Sequence, residues 1–389
     1  MLWINFLHFY QPANADRKKI QEATEKSYER IIRGLEENSN IKFTANISGC
    51  LLVRLDEEFK RIDLIRRIKR LVLKKQLELV GSAAYHALLP LVDIRQAREQ
   101  IVENKRILNK YFGENIKIKG FFFPEMAYSK NTAELISSLG YEWVILDEIS
   151  GTGKLNNANL NKVYTDSNSK LKVIFRNREF SQTYIPETIL NNSFGNNDIV
   201  VSATDAELYG LRHIDEPANF EKLLANGGNK NLNTQFISNY IESKKDNPEI
   251  NLVESSWESS EQELSENKPF DLWFNKTNII QVKLMELANL AQSLYYKYSN
   301  DKNIWWSKWH LVRGLASCTF WWASNKDMRR VFGPIAWNPD QIELGTQELI
   351  RSIRDLENST SLQEKLDAES KFNYILKILW EKHWENYKN

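Results

Sequence analysis

Short apolar runs recur along the first two-thirds of the chain: Trp3 to Tyr10, Lys42 to Ser48, Leu77 to Gly81, Ile118 to Phe123, Trp143 to Asp147, Val173 to Arg176, Ile199 to Ala203 and Asn251 to Ser255. Most are apolar throughout instead of alternating, the pattern of strands buried on both faces and hence of a parallel sheet. Between them, Asp16 to Asn38, Glu57 to Lys75, Ile94 to Phe112 and Ser129 to Leu139 place apolar residues three and four apart, which predicts helices. The rhythm is βαβα, and seven or eight such units over about 265 residues match a closed α/β barrel with its chemistry on the loops after the strands, an open doubly wound sheet being the competitor. From Asn275 onward the strand pattern stops. Helical periodicity then runs through Leu294, Leu315, Leu349 and Leu379 and predicts a C-terminal helical region.

Composition narrows the function. Among 389 residues, 52 Lys and Arg face 51 Asp and Glu, a formal net charge of +1, so there is no basic excess to grip nucleic acid or an anionic membrane. No uninterrupted apolar run is long enough to span a bilayer, and no basic leader precedes the first apolar run, so the expected location is cytoplasmic. Cys50 and Cys318 are too few for a disulfide framework and lack zinc-site spacing. Gly151-Thr152-Gly153-Lys154 lacks phosphate-loop spacing and reads as a turn. Asn156 to Ser169 and Ala225 to Asn233 read as long surface excursions of the kind that often line clefts. Aromatic residues make up 12% of the chain and include 12 Trp, six of them between Trp305 and Trp337.

Two carboxylates stand at or just past the ends of predicted strands. Glu125 follows Gly120-Phe121-Phe122-Phe123-Pro124, whose proline cannot extend a ladder. Asp205 follows Ile199 to Thr204. Each alone is explained by a helix cap or a salt bridge. Together they fit paired-carboxylate glycoside chemistry, one group attacking or stabilising an anomeric carbon and the other shuttling the proton. His8 and Gln11 end the first strand and His86 follows the third. They are either hydrogen-bonded core groups, donors to a hydroxyl-rich ligand, or, with an Asp, part of a metal triad. Trp257, Trp321, Trp322 and Trp337 are placed near a glycan, because pyranose C–H faces stack on indoles.

Five segments in order resemble glycoside hydrolase family 57, the α-glucan-active amylases, 4-α-glucanotransferases and branching enzymes. They are Leu7-His8-Phe9-Tyr10-Gln11-Pro12, Glu78 to Pro90, Gly120 to Ser129, Thr204-Asp205-Ala206-Glu207-Leu208-Tyr209-Gly210, and Ala316-Ser317-Cys318-Thr319-Phe320-Trp321-Trp322. Many members carry Asp in the fifth segment, where this chain has Cys318 or Thr319, and many place His soon after the fourth segment's Gly, where Leu211 and Arg212 precede His213. The resemblance implies a distorted (β/α)7-type barrel over 1–270, with a helical region over 271–389 completing the cleft. It also implies retaining hydrolysis or transfer on an α-glucan, without a cofactor or metal. Glu125 takes the nucleophile's role and Asp205 that of general acid/base. Glu207 and His213 join His8, Gln11, His86 and the four tryptophans as substrate-binding groups. In this scheme the carboxyls stand roughly 5–5.5 Å apart, and burial and the Glu125 charge raise the Asp205 pKa. The competing readings are a metal-dependent carbohydrate enzyme of the polysaccharide-deacetylase or α-mannosidase kind, and a non-catalytic glycan-binding protein.

Overall fold

A computed structural model describes residues 1–195, 197–225, 232–324, 337–356 and 360–387. Its strands are β1 (Leu2–Phe9), β2 (Phe43–Ile47), β3 (Leu77–Leu79), β4 (Gly120–Phe121), β5 (Trp143–Asp147), β6 (Tyr164–Asp166), β7 (Lys172–Arg176), β8 (Ile199–Asp205), β9 (Asn233–Thr234) and β10 (Glu249–Ile250). One sheet runs β3-β2-β1-β8, with β9 against the start of β1, and the other runs β10-β6-β7-β5-β4. All pairings are parallel except β6 with β7. Two narrow seams join the sheets. At one, Gly81 N–H donates to Gly120 O and Phe122 N–H to Gly81 O, both at 2.9 Å; at the other, Asn177 N–H donates to Val201 O at 2.9 Å. The ring β1-β2-β3-β4-β5-β7-β8 is therefore a seven-stranded distorted barrel, as expected from sequence.

Because strand side chains alternate, each barrel strand sends one row inward and one toward the outer helices. The inward rows Ile4 and Phe6, Trp143 and Ile145, Ile174, and Val201 and Ala203 pack together with Val80 and Phe122. The outward rows Trp3, Leu7 and Phe9 of β1 and Phe43, Ala45 and Ile47 of β2 join the layer under the helices. Continuing each inward row one step toward the mouth gives His8, Asp147, Arg176 and Asp205. The same alternation that fills the barrel with apolar groups thus delivers polar ones to its C-terminal rim.

Three predicted elements differ. The helix expected over Glu57 to Lys75 begins later, at Ile62–Leu73, and a further helix not expected from the spacing, Gly49–Glu57, precedes it, the two parted at Lys60, whose φ is +56°. Asn251 to Ser255 is not a strand: it follows the two-residue β10, and Ser255 makes one bridge to Tyr128. The Asn156 to Ser169 excursion contains β6 and does not line the cleft described below. Residues 226–231 of the excursion predicted after Ala225 lie outside the described residues.

The C-terminal region is helical, with Ile279–Lys297, Ile304–Gly314, Ser317–Trp321, Pro339–Arg354 and Leu362–Tyr387. It docks on the barrel mouth through the Ala87–Ala316 bridge and the Ser317 N–H donating to His86 O at 2.9 Å. Gly345 permits close approach of the last wall: a Cβ there would lie 2.4 Å from Thr319 Cγ2. Among the described residues no helix is long and apolar enough to cross a membrane.

Candidate functional site

A cleft of about 240 Å³ opens at the C-terminal rim between the barrel and the helical region. His8, Gln11, His86, Glu125, Asp205, Trp257, Trp321 and Trp322 line it, eight of the eleven side chains singled out from sequence. In the parallel register of β1 with its neighbours, His8 stands beside Asn46 on β2 and Asp205 on β8. The His8 Nδ1 pairs with Asn46 Oδ1 at 2.9 Å, and its ring stacks on His86 at 4.8 Å. Tyr10 stacks on the other ring at 4.0 Å. Burial, aided by the neighbouring His86, drives the His8 pKa down to about 3, so His8 is neutral at the rim.

Glu125 is held by three side chains from three parts of the chain. Its Oε1 meets His86 Nε2 at 3.1 Å and accepts from Ser317 Oγ at 2.8 Å; its Oε2 accepts from Trp257 Nε1 at 2.9 Å. Glu125 and His86 both have φ of +59°, a left-handed conformation that non-glycine residues adopt at a cost on the order of 1–3 kcal/mol and that clusters at functional sites. Trp257 is itself backed by the Arg176 guanidinium, 5.1 Å from its ring centroid. Arg176 is in turn anchored by donating to Asp147 Oδ2 at 2.7 Å, and Arg178 donates to the other oxygen at 2.9 Å. This buried network fixes the carboxylate's donor from behind, and further guanidinium N–H groups donate to the backbone carbonyls of Ala203 and Ser259.

The opposite side of the cleft corrects an expectation. Burial works to raise the Asp205 carboxyl. The Arg212 guanidinium outweighs it: its Nη1 donates to Oδ2 at 2.6 Å and brings the pKa below its ordinary value. The expected rise is absent because sequence reasoning weighed burial and Glu125 but not this counter-ion. Glu207, two residues on, is the carboxyl that burial does raise, to about 7, against the opposing pull of Arg212. Glu207 is buried just behind the cleft, accepting from Gln11 Nε2 at 2.9 Å and from the Tyr28 hydroxyl.

Two other singled-out residues do not reach the cleft. His213 stacks on Tyr184 at 3.9 Å, and Trp337 donates to His383 at 3.3 Å among the C-terminal helices. The stacked His8 and His86 form no metal triad with an Asp; among the described residues no three His, Cys, Asp or Glu side chains converge in a metal-holding group. Sequence reasoning passed over Tyr10, Arg212 and Ser317. Tyr10 and Ser317 lie inside quoted motifs, so position beside His8 and Cys318 was the available signal, whereas nothing in the sequence pairs Arg212 with Asp205.

Comparison with known proteins adds to this geometry. The chain is 28% identical over 199 residues to an α-amylase of Pyrococcus horikoshii, a match covering 49% of this chain and 30% of that relative. The fold superposes on a 4-α-glucanotransferase of Thermococcus litoralis with TM-score 0.71 at 17% identity, covering 91% of this chain and 60% of the other. It superposes equally, at TM-score 0.71 and 16% identity, on a branching enzyme of Pyrococcus horikoshii, covering 96% of this chain and 94% of the other. These structural likenesses establish a shared fold, and the chain spans less than a third of the curated amylase's length. The family model for glycosyl hydrolase family 57 matches residues 6–224, more than half of the chain and the part that carries His8, His86, Glu125 and Asp205, so the protein belongs to that family.

Proposed function

We propose that the protein is a retaining glycoside hydrolase or transglycosylase of α-glucans, the substrate class named by its amylase and glucanotransferase relatives. The observation that carries the reading is the Glu125 carboxylate, fixed on both oxygens by Trp257, Ser317 and His86 in a cleft that also contains Asp205. Glu125 attacks C1 and forms a glycosyl-enzyme. Asp205 gives a proton to the departing oxygen and then takes one from water or from an acceptor sugar. The indoles of Trp257, Trp321 and Trp322 supply the apolar walls on which pyranose faces stack.

The acid step needs a proton on Asp205. Arg212 is half-exposed at the rim, and a glycan entering the cleft competes with it for the Asp205 carboxyl. Once the guanidinium is displaced, burial and the Glu125 charge act to raise the Asp205 pKa. Residues 1–270 act as the catalytic barrel in this reading, and 271–389 as the wall that completes the cleft.

The test is chromatographic product analysis on maltoheptaose, starch and pullulan, with Glu125→Gln as control. Shorter oligomers alone indicate hydrolysis, and longer and shorter ones together indicate transfer. The substitution is expected to lower turnover by at least about 10³-fold, since a nucleophile acts as a unit with its partners. A folded wild type that yields no product, or a Glu125→Gln variant with wild-type rates, sinks the reading.

A further inference from the structure

The helix Ile304–Gly314 turns an aromatic ladder away from the catalytic cleft. Trp305 and Trp306 are 57% and 53% exposed, large areas of indole to leave in water. The Trp305 and Trp309 rings stack at 5.4 Å with 28° between planes, and Trp306 stands edge-on to Trp305 at 4.5 Å. The Arg313 guanidinium lies 3.3 Å from the Trp309 centroid and stiffens the ladder.

Trp305 and Trp309 also wall a cavity of about 480 Å³ against the outer barrel helix Ile94–Phe112, and this cavity shares no lining residue with the catalytic cleft. Gln96 and Gln100 line it and are almost wholly buried, yet neither Nε2 has a hydrogen-bond partner. Their orientation is set from the other end: Gln100 Oε1 accepts the Tyr85 N–H at 2.9 Å, and Gln96 Oε1 accepts from the Tyr296 hydroxyl at 3.4 Å. Buried donors without partners are rare and mark a place where a ligand or water is expected. The charges around the cavity are already matched, Lys308 with Glu99 at 2.9 Å and Arg106 with Glu103 at 2.7 Å. A charged ligand gains nothing there. Flat indole faces and neutralised charge together select an uncharged polyhydroxylated ring, with the two unpartnered amides packed just under the cavity wall.

We propose that the Trp305–Trp309 ladder and its cavity form a second, non-catalytic binding site for a neutral oligosaccharide, occupied by an outer chain of the same α-glucan polymer. The identity of the sugar rests on the α-glucan reading above. Binding there holds a polymer to the enzyme between encounters with the cleft and leaves short substrates unaffected.

The test compares wild type, Trp305→Ala and Trp305→Phe by electrophoretic retardation in glycogen-containing gels and by turnover of maltoheptaose. Trp305 is at the surface, so folding survives its replacement. Trp305→Ala is expected to weaken glycogen binding about fivefold, a loss of the size of one aromatic stacking contact, with Trp305→Phe retaining most of it and all three turning over maltoheptaose alike. Equal retardation of wild type and Trp305→Ala overturns the proposal, as does a wild type that turns over maltoheptaose but is not retarded. A wild type that is retarded without turning over maltoheptaose counts against the catalytic reading instead, and the comparison with Trp305→Ala still decides the second site.

Discussion

Glu125 and Asp205 differ in how their charges are held. Glu125 is bound by neutral or weakly basic donors, and Asp205 by a guanidinium. That difference makes Arg212 a positioning residue with a pH signature. Arg212 lowers the Asp205 pKa, so Arg212→Met raises it, and the protonated acid persists to higher pH. The alkaline limb of kcat/KM, which reports the free enzyme, is expected to move up by about one unit. An unmoved limb with reduced kcat/KM would make Arg212 merely structural. At this scale His8, His86, Glu125 and Asp205 were legible because strand alternation and chain order put them on one rim. The Arg212 pairing was not, because an ion pair formed in a loop depends on where the loop folds back and leaves no periodic trace.

The elements that were legible are those whose pattern is decided locally. The strand Trp143–Asp147 and the helix Ile94–Phe112 fall where their apolar spacing puts them. β4 is only two residues long, and its Gly120 passes under the Trp143 ring, where a Cβ would lie 2.2 Å from it. Interfaces between elements also carry function. The helix Ser317–Trp321 delivers Ser317 and Trp321 to the cleft and rests on Gly345 through Thr319. Gly345→Ala is expected to cost about 1–3 kcal/mol by overpacking, and to lower kcat/KM about tenfold by tilting the Ser317 hydroxyl off Glu125. Calorimetry with steady-state kinetics checks both. A lowered Tm with wild-type kcat/KM would show that this contact supports stability alone.

The whole molecule is a barrel whose mouth is finished by a different structural class. Ala87, Leu88 and Ala127, from the loops beside His86 and Glu125, belong to the same apolar cluster as Leu311, Phe320 and Leu349 of the helical region. The two parts therefore share a core as well as a site. A chain ending at residue 270 is expected to expose that cluster, bind a hydrophobic dye strongly and lose the Ser317 contact, with turnover falling at least about 10²-fold. A truncated chain with a cooperative melt and turnover near that of the intact protein would refute the shared core. The 42% apolar content is ordinary for a globular chain and does not indicate which surfaces meet.

The order of strands and helices, and the polar groups His8 and Asp205 at the ends of two apolar strands, could be read from the chain alone. Those follow from periodicity, which is a property of neighbours in the chain. The folded structure was needed to bring Ser317, 192 residues after Glu125, to donate to its carboxylate, and to turn His213 and Trp337 elsewhere. It alone decided that the Glu207 carboxyl is raised while that of Asp205 is lowered. Each of these is a balance between burial and a partner brought from far along the chain, and that balance exists only once the barrel has closed and the helical region has covered its mouth.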